Sequence, residues 1–382
     1  MAQFWLPTVI VAGEGCFEEL GQRASMLGRR ALLVCGAGSL KRSGQLDRAL
    51  GLLWGLGVKT TVYDAVRSEP TLDVVHEGLV QARAEHAELL VGIGGGSAMD
   101  VAKAIAGLFT HSGTVHEYFQ GEKKVSGGGL PWIAVPTTAG TGAEVTSNAV
   151  LSDPQTRIKS SLRHDGWYAH TALIDPELTL SVPPSITAAS GSDALTQAIE
   201  AYTSIAAMPT TDALAMRAIE LIGRSLAVAY HDGRNVSARA DMLYGSLLTG
   251  MAFANARLGG VHGMAHPLGE RFHIPHGVVC GLLLPYVMAY NLSYAKEKYA
   301  HVARLLGVDA NGMDAEQAAQ AAVEVVRTLF ATIGIPSKLG PFGVKVEDFS
   351  TIIEESLPSG SLKHNPRPLN AQDVEAILLA AL

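Results

Sequence analysis

The side chains best placed for chemistry lie in the second half of the chain. Asp193-Ala-Leu-Thr-Gln197 sets two polar groups at i and i+4, on one face of an otherwise apolar helical segment. Downstream come Val261-His262-Gly-Met-Ala-His266 and then Ile274-Pro275-His276-Gly277. An aspartate and three histidines converging among helices would hold a divalent cation such as Fe2+ or Zn2+, with an open position for a substrate oxygen. His262-x-x-x-His266 is a weaker signal than His-Glu-x-x-His, because Gly263 follows the first histidine and no glutamate is supplied. Two histidines one turn apart also serve as structural or surface residues, and Asp193 equally suits a helix cap or a salt bridge. Spacing alone leaves both readings open.

A second set of candidates could bind a nucleotide. Gly94-Gly95-Gly96-Ser97 follows the apolar run Leu89–Ile93 and opens a helical stretch. Glycines without Cβ let backbone N–H groups approach a pyrophosphate, and a helix N-terminus adds positive potential there. Ser97 either donates to phosphate or acts as the N-cap of that helix. Pro136-Thr137-Thr138-Ala139-Gly140-Thr141-Gly142 also follows a strand-like run and offers hydroxyls on a flexible backbone. Two such loops at strand carboxyl ends fit the crevice where open parallel sheets bind dinucleotides. The turn Gly36-Ala37-Gly38-Ser39-Leu40-Lys41-Arg42 carries no carboxylate for a ribose 2′-hydroxyl and has two cations, which favours NADP over NAD. The alternative is that Lys41 and Arg42 merely coat a helix start.

These residues need two kinds of scaffold. Runs 30–35, 58–63, 89–93 and 131–135 read as strands, with helical periodicity over 72–85 and 98–108 between them. Strand–helix alternation predicts a parallel sheet covered on both faces. Beyond Asp175 the strand signals stop. Helices are expected over 187–204, 210–231, 237–255, 295–306, 315–333 and 346–357, and Asn370 caps a last one. An α/β domain over 1–182 and an all-helical domain over 183–382 follow.

Composition narrows the function. The chain has 382 residues, 48% hydrophobic and 17% charged, with a net charge of −7. That excludes a disordered chain, and the lack of a basic stripe argues against nucleic acid or an anionic membrane as main partner. No apolar stretch of about 18 residues runs without polar breaks, and no signal peptide is evident, so a soluble cytoplasmic protein is expected. Cys16, Cys35 and Cys280 form no disulfide framework, and Cys280 reads as buried rather than reactive. His86, His111, His164, His231 and His301 read as surface residues.

Taken in order, these segments resemble the iron-containing (group III) alcohol dehydrogenase family. The resemblance runs through FWLPTVIVAG at 4–13, GGGSAMDVAKA at 94–104, PTTAGTGAEVTSNAVLSD at 136–153 and LIDPEL at 173–178. It continues through GSDALTQAIEAYTS at 191–204, GGVHGMAHPLG at 259–269, IPHG at 274–277 and NPRP at 365–368. It implies a Rossmann-like N-terminal domain, an all-α C-terminal domain of the dehydroquinate synthase-like type, and a cleft between them holding nicotinamide and metal. It implies hydride transfer between NAD(P) and a small alcohol/aldehyde pair, in a homo-oligomer.

By the same resemblance Gly95, Gly96, Ser97, Thr137, Thr138, Thr141 and Lys159 would bind the cofactor with Asp100 nearby, and Gly36 and Ser39 of the turn after the first long strand join them as cofactor-binding candidates. Asp193, His262 and His276 fall on metal-ligand positions, His266 on the histidine near nicotinamide and substrate, and Asn148 and Phe253 on positions lining the substrate pocket. Glu69 is a further pocket position. The sequence departs from the family in having Gln197 where a histidine ligand belongs. Gln197 then ligates through its amide oxygen, stands behind the other three ligands, or marks an empty site. Two rival readings follow: a same-superfamily enzyme with non-dehydrogenase chemistry, and a catalytically silent nucleotide-binding protein. The first would need more phosphate-binding Lys and Arg in the helical half than this sequence has.

Overall fold

The structure is a computed structural model that describes residues 3–67, 69–156 and 158–382. It divides into an α/β unit (Leu6–Thr138 and Gly142–Ser181) and a helical unit, Val182–Leu382 with Ala139–Thr141 and the segment ending at Trp5.

The strands of the α/β unit are β1 (Val9–Ala12), β2 (Arg30–Gly36), β3 (Lys59–Val66), β4 (Leu89–Gly94), β5 (Trp132–Pro136), β6 (Asn148–Asp153), β7 (Ile158–Arg163) and β8 (Thr171–Ile174). Its helices are α1 (Leu20–Ser25), α2 (Ser39–Arg42), α3 (Gln45–Gly55), α4 (Leu72–Ala84), α5 (Gly96–Leu108) and α6 (Val115–Phe119). Six strands form one sheet in the order β1-β8-β5-β4-β2-β3, every neighbouring pair parallel. Burial on both faces explains the unbroken apolar runs of β2, β4 and β5. The chain steps outward from β2 to β3 and returns to β4 on the other side, so the turns after β2 and β4 flank the point where strand order reverses.

The four strands expected from the sequence are β2 to β5, with shifted ends. Four others had no legible signal. β1 and β8 are four residues each, too short to show a period. β6 and β7 form an antiparallel hairpin in which β7 is mostly polar and half-exposed. One local expectation is corrected: Gly95, not Ser97, is the N-cap of α5, at φ −81° and ψ −173°, and Ser97 lies inside the first turn.

The helical unit contains α7 (Pro184–Thr203), α8 (Pro209–His231), α9 (Val236–Ala256), α10 (Gly260–Phe272), α11 (His276–Leu305), α12 (Ala315–Thr332), α13 (Phe349–Ser356) and α14 (Ala371–Ala381). Asn370 caps α14 in a reciprocal capping box with Asp373. The stretch 346–348 is a 3-10 turn, so α13 starts three residues later than the periodicity suggests. Two helices were not anticipated. α10 carries Gly263, Pro267 and Gly269, and the first part of α11 carries Gly277, Gly281 and Pro285; tertiary packing overrides these weak propensities. The helix expected from 295 is the part of α11 beyond a kink at Ala295.

α11 also corrects the expectation that no segment is apolar enough to span a bilayer, since by length and composition it qualifies. Its apolar side chains are instead largely buried in the helical unit, where it packs on α7 and α12.

Candidate metal centre and nucleotide loops

The centre of the helical unit is built on three helices. α7 is buried along nearly its whole length from Gly191 to Thr203, yet Asp193, Gln197 and Glu200 recur on one face at i, i+4 and i+7. α10 supplies His262 and α11 supplies His276. Asp193 Oδ1 lies 3.2 Å from His262 Nε2 and 3.7 Å from His276 Nε2. The two imidazole rings are 5.4 Å apart.

Glu200 Oε2 sits 2.5 Å from His262 Nδ1, and Glu200 Oε1 accepts the Val261 N–H at 2.7 Å. Without a cation the ring donates from both nitrogens, Nδ1 to Glu200 and Nε2 to Asp193, and the Glu200–Nδ1 contact is the carboxylate–imidazole arrangement that orients a metal ligand. Gln197 donates its amide Nε2–H to Asp193 Oδ2 at 2.8 Å.

Electrostatics keep this cluster charged. Burial opposes ionisation of Asp193, but the hydrogen bond from His262, the charges of His276 and His262, and the Gln197 amide hold its pKa below the ordinary carboxylate value. Burial also opposes protonation of His262, yet Cys280, Glu200 and the bond to Asp193 raise it well above the usual imidazole range. A cation that displaced the imidazole protons would offset the two carboxylates buried beside His262 in their place. Gln197 Oε1 is a buried acceptor with no hydrogen-bond partner. The donor chemistry therefore fits a divalent cation.

The structure thus brings Asp193, His262 and His276 together and sets Gln197 against Asp193. His266 is half-buried on α10, its ring 5.5 Å from that of His276. Phe253 is half-buried on α9, and Thr141 belongs to the helical unit. Reading the sequence missed two members of the cluster. Glu200 stands one turn beyond Gln197, and the i, i+4, i+7 recurrence of polar residues on an apolar helix was the available signal. Cys280 is buried as expected, but its Sγ lies 3.6 Å from His276 Nε2 and 3.8 Å from His262 Nε2. The i, i+4 spacing of His276 and Cys280 was its signal.

In the α/β unit the loops after β4 and β5 lie side by side. The Thr137 N–H donates to Gly94 O at 2.8 Å, and a Cβ on Gly95 would lie 3.1 Å from Thr138 Oγ1. The first backbone N–H groups of α5, from Gly96 onward, have no acceptor within the helix and form an anion-attracting end. After β2, Gly36 ends the strand, Gly38 takes φ +109° and Ser39 opens α2. Lys41 and Arg42 are exposed, with Arg42 folded back over Gly38.

Asp100 faces inward, accepting the Val150 N–H at 3.1 Å beside Lys103 at 3.7 Å. Lys159 pairs with Glu69 at 2.7 Å. Asn148 begins β6, and its carbonyl accepts from Lys103 Nζ at 2.7 Å. His111, His164 and His301, expected at the surface, are half-buried; His301 Nδ1 meets the Tyr202 hydroxyl at 2.9 Å.

Comparison with known proteins covers the whole chain. Residues 7–176 match the family described as iron-containing alcohol dehydrogenase, and residues 187–382 match the C-terminal part of the Fe-containing alcohol dehydrogenase family. The 1,3-propanediol dehydrogenase of Klebsiella pneumoniae is 40% identical, covering 100% of this chain and 99% of its own. Long-chain-alcohol dehydrogenase 1 of Geobacillus thermodenitrificans is 39% identical, covering 100% and 97%. A crystal structure of a 1,3-propanediol oxidoreductase superposes with a TM-score of 0.96 at 39% identity, covering 100% of both chains. With matches that run from end to end at this identity, the chain belongs to the iron-containing alcohol dehydrogenase family.

Proposed function

We propose that this chain transfers hydride between NAD(P) and a small alcohol/aldehyde pair, with Asp193, His262 and His276 holding a divalent cation. The observation that carries the reading is the convergence of Asp193 Oδ1 on Nε2 of both His262 and His276. When bound, the cation supplies Lewis acidity toward the alcohol oxygen and the nicotinamide supplies or accepts the hydride. The chain's own residues do the rest. Glu200 holds the His262 ring in place, and Gln197 steadies Asp193 through Oδ2. His266, half-buried beside His276, takes the proton released by the alcohol and passes it toward solvent.

Gly95, Gly96 and Ser97 at the start of α5 receive the pyrophosphate, while Thr137, Thr138, Thr141 and Lys159 contact the dinucleotide. Asp100 supports these loops from behind, and Gly36 and Ser39 form the turn for the adenosine end. Asn148 and Phe253 are assigned to substrate contact.

The turn after β2 supports a preference for NADP, since it holds no carboxylate and Arg42 curls over it. A kcat/KM ratio for NADPH over NADH above one, lowered by Arg42→Ala, is the expected outcome. Free Cys16, Cys35 and Cys280 fit a reducing cytoplasm. A dimer or larger assembly is expected by light scattering.

The decisive test is His262→Ala with elemental analysis and an aldehyde panel. Loss of bound metal and a fall in kcat/KM of about a hundredfold or more are expected. Unchanged metal content and turnover would remove the ligand role. A chain that is stabilised by nucleotide but never turns over, whatever cation is added, would instead be the silent binding protein.

A further inference from the structure

We infer that Cys280 is the fourth protein donor of this centre, making it a thiolate-bearing site for a thiophilic divalent cation such as Zn2+ or Co2+; this rests on the metal reading above. One donor atom from each of Asp193, His262, His276 and Cys280 lies within 4.8 Å of all the others. A tetrahedral ion with metal–sulfur bonds of about 2.3 Å and metal–nitrogen or metal–oxygen bonds of about 2.0–2.1 Å spans N···S edges of about 3.6 Å and N···O edges of about 3.3 Å. The N···S separations here are 3.6 and 3.8 Å, and the N···O separations 3.2 and 3.7 Å. Four of the six edges are thus close to those of such a sphere, and the other two lie within 4.8 Å.

Helix packing puts the sulfur there. A Cβ on Gly277 would fall 2.0 Å from Ala189 O, and one on Gly281 would fall 2.9 Å from Ser192 Cβ. These glycines let α11 approach α7 closely at the turn that carries Cys280, just before Asp193. His276, one turn back, shares that face. Gln197 supports the same assignment from the other side. Its amide nitrogen engages Asp193 Oδ2 and leaves Oδ1 to the two imidazoles.

On binding an ion, Cys280 would lose its S–H proton and His262 and His276 their Nε2 protons, all released to solvent, and sulfur–metal and nitrogen–metal bonds would form without change of oxidation state. Carboxylate and thiolate together then balance the dication. Thiolate donation biases the site toward Zn2+ and Co2+ and away from ions that prefer oxygen and nitrogen.

The test uses the full chain stripped with a chelator and reloaded. With Co2+, one ion per chain and a near-ultraviolet thiolate-to-cobalt charge-transfer band are expected. X-ray absorption of the Zn2+ form should show one sulfur neighbour, and this reads the wild type even if a variant folds poorly. Cys280→Ser should abolish the band while binding one Co2+, and should lower the preference for Zn2+ over Fe2+ about tenfold. Cys16→Ser/Cys35→Ser and Gln197→Ala should keep the band. One Co2+ per wild-type chain with neither band nor sulfur neighbour would overturn the inference and leave the metal reading standing, as would a band that survives in Cys280→Ser. A wild-type chain that binds no ion would overturn both.

Discussion

In the helical unit Asp193 stays ionised among His262, His276 and Gln197, whereas in the α/β unit burial prevails over a second acidic and basic cluster. There burial pushes Asp100 up to about 6 despite Lys103 and the Val150 N–H, and pushes Glu144 up to about 7. Lys103, wholly buried, is driven down to about 8. The partners differ in kind. Around Asp193 two of them are imidazoles whose Nε2 atoms converge on one carboxylate oxygen and can exchange their protons for a cation. Lys103 on α5 reaches the Thr146 hydroxyl at 2.8 Å and the Asn148 carbonyl at 2.7 Å, and Asp100 takes the Val150 N–H. Those bonds tie α5 to the segment 146–150. Buried charge alone therefore does not mark a reactive site; the direction in which the unshared pairs point does.

The contrast can be broken most forcefully at Lys103. Lys103→Met strands a buried Asp100 and two oxygen acceptors, and should cost about 3–5 kcal/mol in urea unfolding. The loss should shrink on acidification, as Asp100 takes up its proton. A variant as stable as the parent at neutral pH would show that no brace exists. On the other side, Glu200→Gln should spare the fold but loosen His262, weakening metal affinity by about 10–100-fold in a chelator competition. An unchanged affinity would demote Glu200 to a packing role.

The smallest effect is pH dependence in the metal-free chain. Asp100 and Glu144 have folded pKa values above their ordinary 3.8 and 4.5, so their contribution to stability is full at acid pH and is lost as pH rises through about 6 and 7. Lys103 is depressed from 10.5 to about 8, so stability is regained as pH rises beyond about 8. Amides of α5 and β6 should show their lowest exchange-corrected protection between these limits. Glu144→Gln should flatten the acid side of that profile, and a profile identical to the parent's would count against a buried carboxyl there.

Much of the frame was legible because its signals are local. The apolar runs of β2 to β5, the capping residue Asn370 and the glycine loop at 94–97 each act over a few residues, through burial on both sheet faces, a side-chain cap and backbone access. The candidate metal centre was legible in part: Asp193, His262 and His276 stand in recognisable motifs, but their convergence depends on α10 and the first half of α11, which proline and glycine conceal from periodicity. Sequence alone determined the residue types available and the order of the elements. Tertiary structure alone decided that Gln197 turns its nitrogen to Asp193, that Glu200 backs His262, and that Cys280 faces two imidazoles rather than lipid-like core. Those outcomes depend on how closely α7, α10 and α11 approach one another, which between α11 and α7 is set by Gly277 against the Ala189 backbone, and no spacing along a single chain encodes it.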